Sequence, residues 1–238
     1  MKKFVLLCLM GIVSLQSHSA TPAEFTAAAD LFLKRYVVNG SVAYQKIALN
    51  FAEVENLYQQ IGSMALDKVD RETRKAFYIN AYNIIVIYWV AKHLPLKSPL
   101  DDSGFFDKVR HKVAGEALTL NALEIKKLLQ DYKDARIHFA LACAARSCPP
   151  LASFAYTAAG LDLQLTERTS LALNNKDWLR VDPAKKSVQL SKIFDWYKND
   201  FTSSGKTQID WINQYRKEKI PVDYTVVYYE YNWELNSN

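Results

Sequence analysis

Residues 77–91 read FYINAYNIIVIYWVA, a run that is apolar on nearly every side. A helix that is apolar all round is either buried inside a protein or spans a membrane. The run contains Asn80 and Asn83 and is shorter than the roughly 20 apolar residues that a bilayer requires. We therefore predict a buried central helix, with Asp70 as its N-cap, and no membrane span.

The amides of Asn80 and Asn83 are three positions apart and so share a face of the predicted helix. Buried amides need hydrogen-bond partners. These side chains therefore either hold loop backbone against the helix or point into a cleft. The first alternative is structural, and the second makes both residues candidates for a catalytic site.

A second stretch, residues 136–151, reads RIHFALACAARSCPPL and contains His138, Cys143 and Cys148. Proline disfavours helical geometry in the residue before it, so Pro149 predicts that any regular element ends by Cys148. In an unbroken helix the two cysteines would lie about 7.5 Å apart along the axis and point in different directions. A break between them allows the two sulfur atoms to meet.

Two structures fit residues 136–143. Alternation of apolar residues from Ile137 to Cys143 fits a strand, whereas Asp134 as N-cap before an alanine-rich run fits a helix, which we favour. In neither structure do His138 and Cys143 share a face, because their spacing is odd for a strand and about 140° off in a helix. A contact between them requires the chain to fold back.

The rest of the sequence predicts short helices joined to short hairpins, without an alternating strand and helix pattern. We therefore predict the α+β class: a single helix-rich domain over residues 21–238, with a C-terminal strand, packed around the buried central helix. The chain has only seven glycines and seven prolines and no low-complexity linker, which indicates no further domain boundary. Besides the central helix, the predicted helices cover 22–36, 51–61, 161–175, 191–201 and a segment from 208, and the predicted strands lie within 111–119, 178–190 and 224–233. The first helix is predicted to begin with a capping box of Thr21 and Glu24 with Pro22 at the first helical position, and a turn is predicted at Asn39-Gly40.

Glu124 has a structural explanation in the sequence. Asn121 is predicted to begin a helix, and Glu124 three positions later completes a capping box. A catalytic role for Glu124 therefore needs further evidence. His93 and His111 are predicted to lie at the surface or at a helix end.

Residues 1–20 are typical of a signal peptide, with Lys2 and Lys3 followed by an apolar run. We expect an exported protein, periplasmic or secreted, that loses Cys8 and keeps an even pair of cysteines. Oxidising compartments favour disulfides. Removing the two lysines lowers the formal net charge from +5 to +3, and no basic run remains, so no nucleic-acid partner is predicted.

The enzymatic interpretation is a thiol-dependent hydrolase or acyl transferase with Cys148 as nucleophile and His138 as base. Asn80 or Asn83 would orient the imidazole or stabilise an oxyanion. A short helix over residues 151–159 would place Cys148 at its N-terminus, which lowers the pKa of a thiol.

The alternative interpretation is a non-enzymatic envelope protein, binding or structural, in which Cys143 and Cys148 form a disulfide. A metal site of His138 with both cysteines is a third hypothesis, although no CxxC pair is present. We find no phosphate loop, GxSxG, HExxH or calcium-loop pattern, so no cofactor is predicted. The aromatic run 224–233 also suits a groove, and the expected ligand is a small molecule, peptide or glycan.

Several segments resemble the DUF547 family, a domain of unknown function. They cover nearly the whole mature chain in family order, with one departure at Asn232, where the family usually has aspartate. The resemblance implies motif positions but no catalytic assignment. The segments are 77–89, 118–129, 136–151, 190–201 and 231–236, and the motif positions are Asn80, Tyr82, Asn83, Glu124, His138, Cys143, Cys148 and Pro149.

Overall fold

The central helix is the long α4, Arg71–Lys92, in a computed structural model that describes residues 20–203 and 205–238. The carboxylate of Asp70 caps it by accepting the N–H of Thr73 at 2.8 Å, and every residue from 75 to 91 except Trp89 is buried. The predicted buried helix is confirmed. No helix within the described ranges is long and apolar enough to cross a membrane. The signal-peptide prediction falls on residues that the structure does not describe, apart from residue 20.

Three helices from the N-terminal part of the chain pack against α4. The first begins with the predicted capping box, in which Thr21 and Glu24 satisfy each other's backbone N–H groups. A two-residue hairpin then turns at Asn39 and Gly40, as the sequence indicates. These elements are α1 (Pro22–Tyr36), β1 (Val37–Val38), β2 (Ser41–Val42), α2 (Tyr44–Leu49) and α3 (Phe51–Ser63).

A hairpin of β3 (His111–Val113) and β4 (Glu116–Leu118) leads into one continuous helical segment. The capping box predicted at Asn121 is wrong. The N-cap is Thr119, whose hydroxyl accepts the N–H of Ala122 at 3.1 Å, and Glu124 is buried instead of capping the helix. The segment comprises α5 (Leu120–Ala122), a π-helix (Leu123–Leu129) and α6 (Gln130–Tyr132).

Residues 134–160 are mostly irregular. The favoured helix exists only as a short 3₁₀ turn, Ala135–Phe139, with Asp134 as its N-cap. The helix predicted over 151–159 is wrong, because side chains from distant helices bind this backbone instead: Arg168 donates to the carbonyl of Pro150, and Asn80 binds the backbone of Tyr156.

The C-terminal part contains the largest sheet and confirms the α+β class. Its antiparallel β5–β6 hairpin was predicted, but β7 pairs with β6 in parallel and is only four residues long. Beyond β7 the chain leaves the sheet and pairs with the loop around Ala145, through a bridge to Leu235. The predicted helix 191–201 is broken at Tyr197. The elements are α7 (Leu161–Leu173), β5 (Arg180–Asp182), β6 (Ser187–Leu190), α8 (Ile193–Trp196), α9 (Lys198–Thr202), α10 (Gln208–Asn213) and β7 (Thr225–Tyr228).

His111 is buried between α3 and α4, so its predicted surface position is wrong. It is 1% exposed, and its Nδ1 lies 3.1 Å from the hydroxyl of Tyr58. Burial lowers the pKa of His111 from 6.5 to about 4. His93, by contrast, is the C-cap of α4, as predicted.

The buried imidazole of His111 is expected to make folding stability depend on pH. Between pH 6.5 and 4 the unfolded chain binds a proton at this site that the folded chain does not, so stability falls as the pH falls. The loss should reach about 3 kcal/mol near pH 4. Urea unfolding at several pH values measures it.

His111→Asn is the comparison, because the asparagine amide still offers a partner to the hydroxyl of Tyr58. The free energy of unfolding of this variant should vary less between pH 6.5 and 4 than that of the wild type. Equal pH dependence of the two proteins contradicts the assignment.

Candidate functional site

The backbone that carries His138 is fixed by a partly buried ionic cluster. Asp134 accepts hydrogen bonds from Lys75 Nζ at 2.8 Å, from Arg136 Nη2 at 2.9 Å and from the N–H of Arg136 at 3.1 Å. Burial raises the pKa of Asp134, but the hydrogen bonds from Arg136 and Lys75 outweigh it and lower the pKa to about 2. The carboxylate is therefore charged at any physiological pH and holds the start of the 3₁₀ turn on α4.

The imidazole of His138 lies between two carboxylates. Its Nε2 is 2.8 Å from Oδ2 of Asp200, and its Nδ1 is 4.0 Å from Oε1 of Glu124. An ionised carboxylate only accepts hydrogen bonds, so in a neutral imidazole the proton sits on Nε2 and Nδ1 is free to take a proton. The ring is 2% exposed and packs at 4.2 Å from the ring of Tyr197.

Glu124 lies within the π-helix. Because the helical segment is capped by Thr119 and not by Asn121, the carboxylate of Glu124 does not cap a helix end and is buried instead. The hydroxyl of Tyr82 donates to Oε2 of Glu124 at 3.4 Å. Burial, and then the nearby Glu124, raise the pKa values of Tyr82 and Tyr197 well above their usual range. Both phenols therefore stay protonated as donors to this carboxylate.

Cys143 and Cys148 lie at disulfide-bonding distance, with their Cα atoms 6.2 Å apart. The chain reverses between them, and Ala144 has a positive φ of 60°. The N–H of Cys143 donates to Sγ of Cys148 at 3.1 Å, and the Tyr231 hydroxyl lies 3.1 Å from Sγ of Cys143 and 3.3 Å from Sγ of Cys148. The prediction that a chain break lets the sulfur atoms meet is confirmed.

The side-chain amides of Asn80 and Asn83 form hydrogen bonds with backbone groups. Asn80 exchanges two hydrogen bonds of 2.8 Å with the N–H and C=O of Tyr156. Asn83 accepts the N–H of Ala142 and donates to the carbonyl of Ala140, both at 2.9 Å. Of the two predicted alternatives, the structural one is observed. Neither amide faces the cavity described next.

The remaining predicted site residues lie together in space, because all four line one cavity of about 290 Å³. They are Glu124, His138, Cys143 and Cys148. The walls of the cavity are largely aromatic, and the cysteine pair and the imidazole lie in the same lining. The sequence also predicts that His138 and Cys143 meet only if the chain folds back. In the structure the 3₁₀ turn ends at Phe139, and both side chains line this cavity. Residues lining the cavity are Tyr82, Phe106, Asn121, Glu124, His138, Leu141, Cys143, Cys148, Pro149, Ile193, Trp196, Tyr197, Tyr231 and Trp233.

Sequence reasoning missed Asp200 and Tyr197 as site residues. They lie on the segment WYKNDF, which we interpreted only as a helix, whereas Tyr231 lies in the aromatic run that we interpreted as a strand and also as suited to a groove. These residues could have been identified from the fact that both segments belong to the stretches that resemble the DUF547 family. Within the described residues, no group of three or more His, Cys, Asp or Glu side chains is arranged to hold a metal ion.

Residues 66–171 match the family described as "Protein of unknown function, DUF547". The matched region holds α4, the π-helix and the segment with His138 and both cysteines. No curated protein and no solved structure gave a match. Tyr197 and Tyr231, which line the cavity, come from the part of the chain after the matched residues, so the cavity is built from both parts.

Proposed function

We propose that this protein is an exported, thiol-dependent hydrolase or acyl transferase whose nucleophile, Cys148, is released by reduction of its bond to Cys143. The observation that carries the proposal is the shared cavity, which is lined by Cys148, His138 and Glu124, with Asp200 bound to Nε2 of the imidazole. Nucleophile, base and an orienting group in one place are what nucleophilic catalysis needs.

Hydrogen bonds to its sulfur support Cys148 as the nucleophile. The N–H of Cys143 and the hydroxyl of Tyr231 both donate to Sγ of Cys148. Donors to a charged group favour the charged form. Burial raises the pKa of Tyr231 far above its usual range, so the phenol stays protonated. These donors replace the helix N-terminus that the sequence predicted and the structure lacks at residues 151–159.

The proposed reaction begins when an external dithiol reduces the Cys143–Cys148 bond and is itself oxidised to a disulfide. Nδ1 of His138 takes the thiol proton of Cys148, and the thiolate attacks the carbonyl carbon of an acyl substrate. The bond to the leaving group breaks, and the leaving group departs with the proton from the imidazolium. Water then cleaves the thioester in a hydrolase, or a second acceptor takes the acyl group in a transferase.

The test uses Cys8→Ser protein, which contains no thiol besides those of Cys143 and Cys148. After reduction, hydrolysis of p-nitrophenyl acetate should appear, together with an acyl group on Cys148 detected by mass spectrometry. Cys143→Ser should keep the activity without reduction, and Cys148→Ser should lose it. A reduced wild type that hydrolyses the ester no faster than Cys148→Ser contradicts the proposal.

A second candidate is a non-enzymatic binding protein in which the disulfide is permanent. It is favoured by the contacts of the loop that the disulfide closes, because the N–H of Arg146 donates to the carbonyl of Glu234 at 2.8 Å and the N–H of Ser147 to that of Asn232 at 3.2 Å. The disulfide would then fix the loop on which the C-terminal segment docks, contributing about 2 kcal/mol to stability. A reduced protein that still binds its ligand fully but hydrolyses no ester supports this candidate.

The proposal also includes export, to the periplasm or the medium, which is supported by the signal-like residues 1–20. Cell fractionation followed by N-terminal sequencing tests it. A protein that starts at Met1 in the cytosolic fraction contradicts it.

A further inference from the structure

The charges around the cavity are negative. Among the described residues that line it, Glu124 is the only acidic side chain and none is lysine or arginine. The carboxylate of Asp200 contacts Nε2 of His138. Even with the imidazole protonated, these three groups carry a net charge of −1, so the cavity disfavours anionic ligands and favours cations.

The carboxylate of Glu124 is buried, so solvent screens its charge poorly. Its residue is 9% exposed, and its ion-pair partner among the described residues is Nδ1 of His138 at 4.0 Å, which carries a charge only when the imidazole is protonated. The phenol of Tyr82 supplies a hydrogen bond but no charge. A cationic ligand would supply the missing charge in a site where solvent screens the interaction poorly.

The outer wall of the cavity consists of aromatic rings. Trp196, Tyr231 and Trp233 form one cluster with centroid distances of 5.0 Å, 5.9 Å and 4.7 Å, and Trp196 is 50% exposed. Within the described parts of the chain, the observed cation–π contacts of lysine and arginine fall on other rings, for example Lys192 on Tyr228. The ring faces of this cluster are therefore not occupied by the protein's own cations.

From this juxtaposition we infer that the cavity binds an organic ammonium ion, with its charge placed between the carboxylate of Glu124 and the faces of Trp196, Tyr231 and Trp233. Aromatic faces and a buried carboxylate both attract a weakly hydrated cation. The inference rests on the proposed function in so far as it assigns a ligand class to the same cavity. It requires no reaction, because the oxidised protein should bind the cation.

The test compares choline with its uncharged carbon isostere, 3,3-dimethylbutan-1-ol, by calorimetric titration of the oxidised protein. Choline should bind at least about tenfold more tightly, because cation–π and carboxylate contacts discriminate between the two by more than about 1.4 kcal/mol. Equal affinity, or no binding of choline in the millimolar range, overturns the inference.

Glu124→Gln is the matched variant, since it keeps the shape of the side chain and its hydrogen bond with Tyr82 while it removes the charge. It should weaken choline binding about tenfold or more and leave that of the alcohol nearly unchanged. Glu116→Gln, a replacement of an exposed glutamate that pairs with Lys127 on the surface, is the control and should change neither affinity. Circular dichroism checks that Glu124→Gln folds, and unchanged choline binding in that folded variant overturns the inference. Absence of ester hydrolysis would contradict only the proposed function.

Discussion

Replacing His138 with asparagine is expected to slow ester hydrolysis by the reduced protein by a factor of about 10² to 10⁴, the usual contribution of a general base. The physical reason is that Nδ1 of His138 is the free basic nitrogen in the cavity, whereas an amide cannot take a proton at neutral pH. Steady-state kinetics with p-nitrophenyl acetate, in the Cys8→Ser background, measure the effect on kcat/KM.

His93→Asn is the control for this experiment, because it makes the same replacement at the C-cap of α4, outside the cavity lining. It should leave the rate unchanged. Asp200→Asn should have a smaller effect than His138→Asn, since the amide oxygen can still accept the hydrogen bond from Nε2 but no longer supplies the negative charge that stabilises the imidazolium. The expected loss of rate in His138→Asn is about 10² or more. A rate within about threefold of the wild type would therefore rule out the imidazole as the base.

Replacing Asn83 with alanine is expected to destabilise the protein by about 4 kcal/mol. The change leaves the carbonyl of Ala140 and the N–H of Ala142 buried without their partner, and each such group costs about 1 to 3 kcal/mol. Urea unfolding followed by circular dichroism measures the free energy of unfolding.

Asn50→Ala is the matched control, because Asn50 is exposed and makes a single side-chain hydrogen bond, to the carbonyl of Lys46. It should change stability by less than about 1 kcal/mol. If Asn83→Ala cost no more than Asn50→Ala, the amide would not be holding the loop that carries Cys143.

The parts of the fold that follow from nearby residues were predictable. The cap at Asp70 and the apolar run after it predict α4, and Thr21, Pro22 and Glu24 predict the start of α1, because each signal lies within one helical turn. The register of the segment around Glu124 was not predictable in this way. Both Thr119 and Asn121 suit an N-cap, and the packing of Leu120, which is buried, is consistent with the earlier start.

The candidate site was predictable only in part. His138, Cys143 and Cys148 attract attention by residue type, and the proline after Cys148 correctly indicates a break. Asp200 is distant in sequence from His138, and nothing local to either residue reports their contact. The path of residues 140–160 depends likewise on side chains of α4 and α7, so local propensity, which favoured a helix over 151–159, gave the wrong structure there.

In the proposed site the sulfur of Cys148 and the imidazole of His138 act as one unit. The pH dependence of iodoacetamide alkylation tests this directly in Cys8→Ser, Cys143→Ser protein, in which Cys148 is the single thiol. We expect a midpoint clearly below the ordinary thiol pKa of about 8.5, and a rise of that midpoint when His138→Asn is added. A midpoint at the ordinary value that His138→Asn leaves unchanged would contradict it.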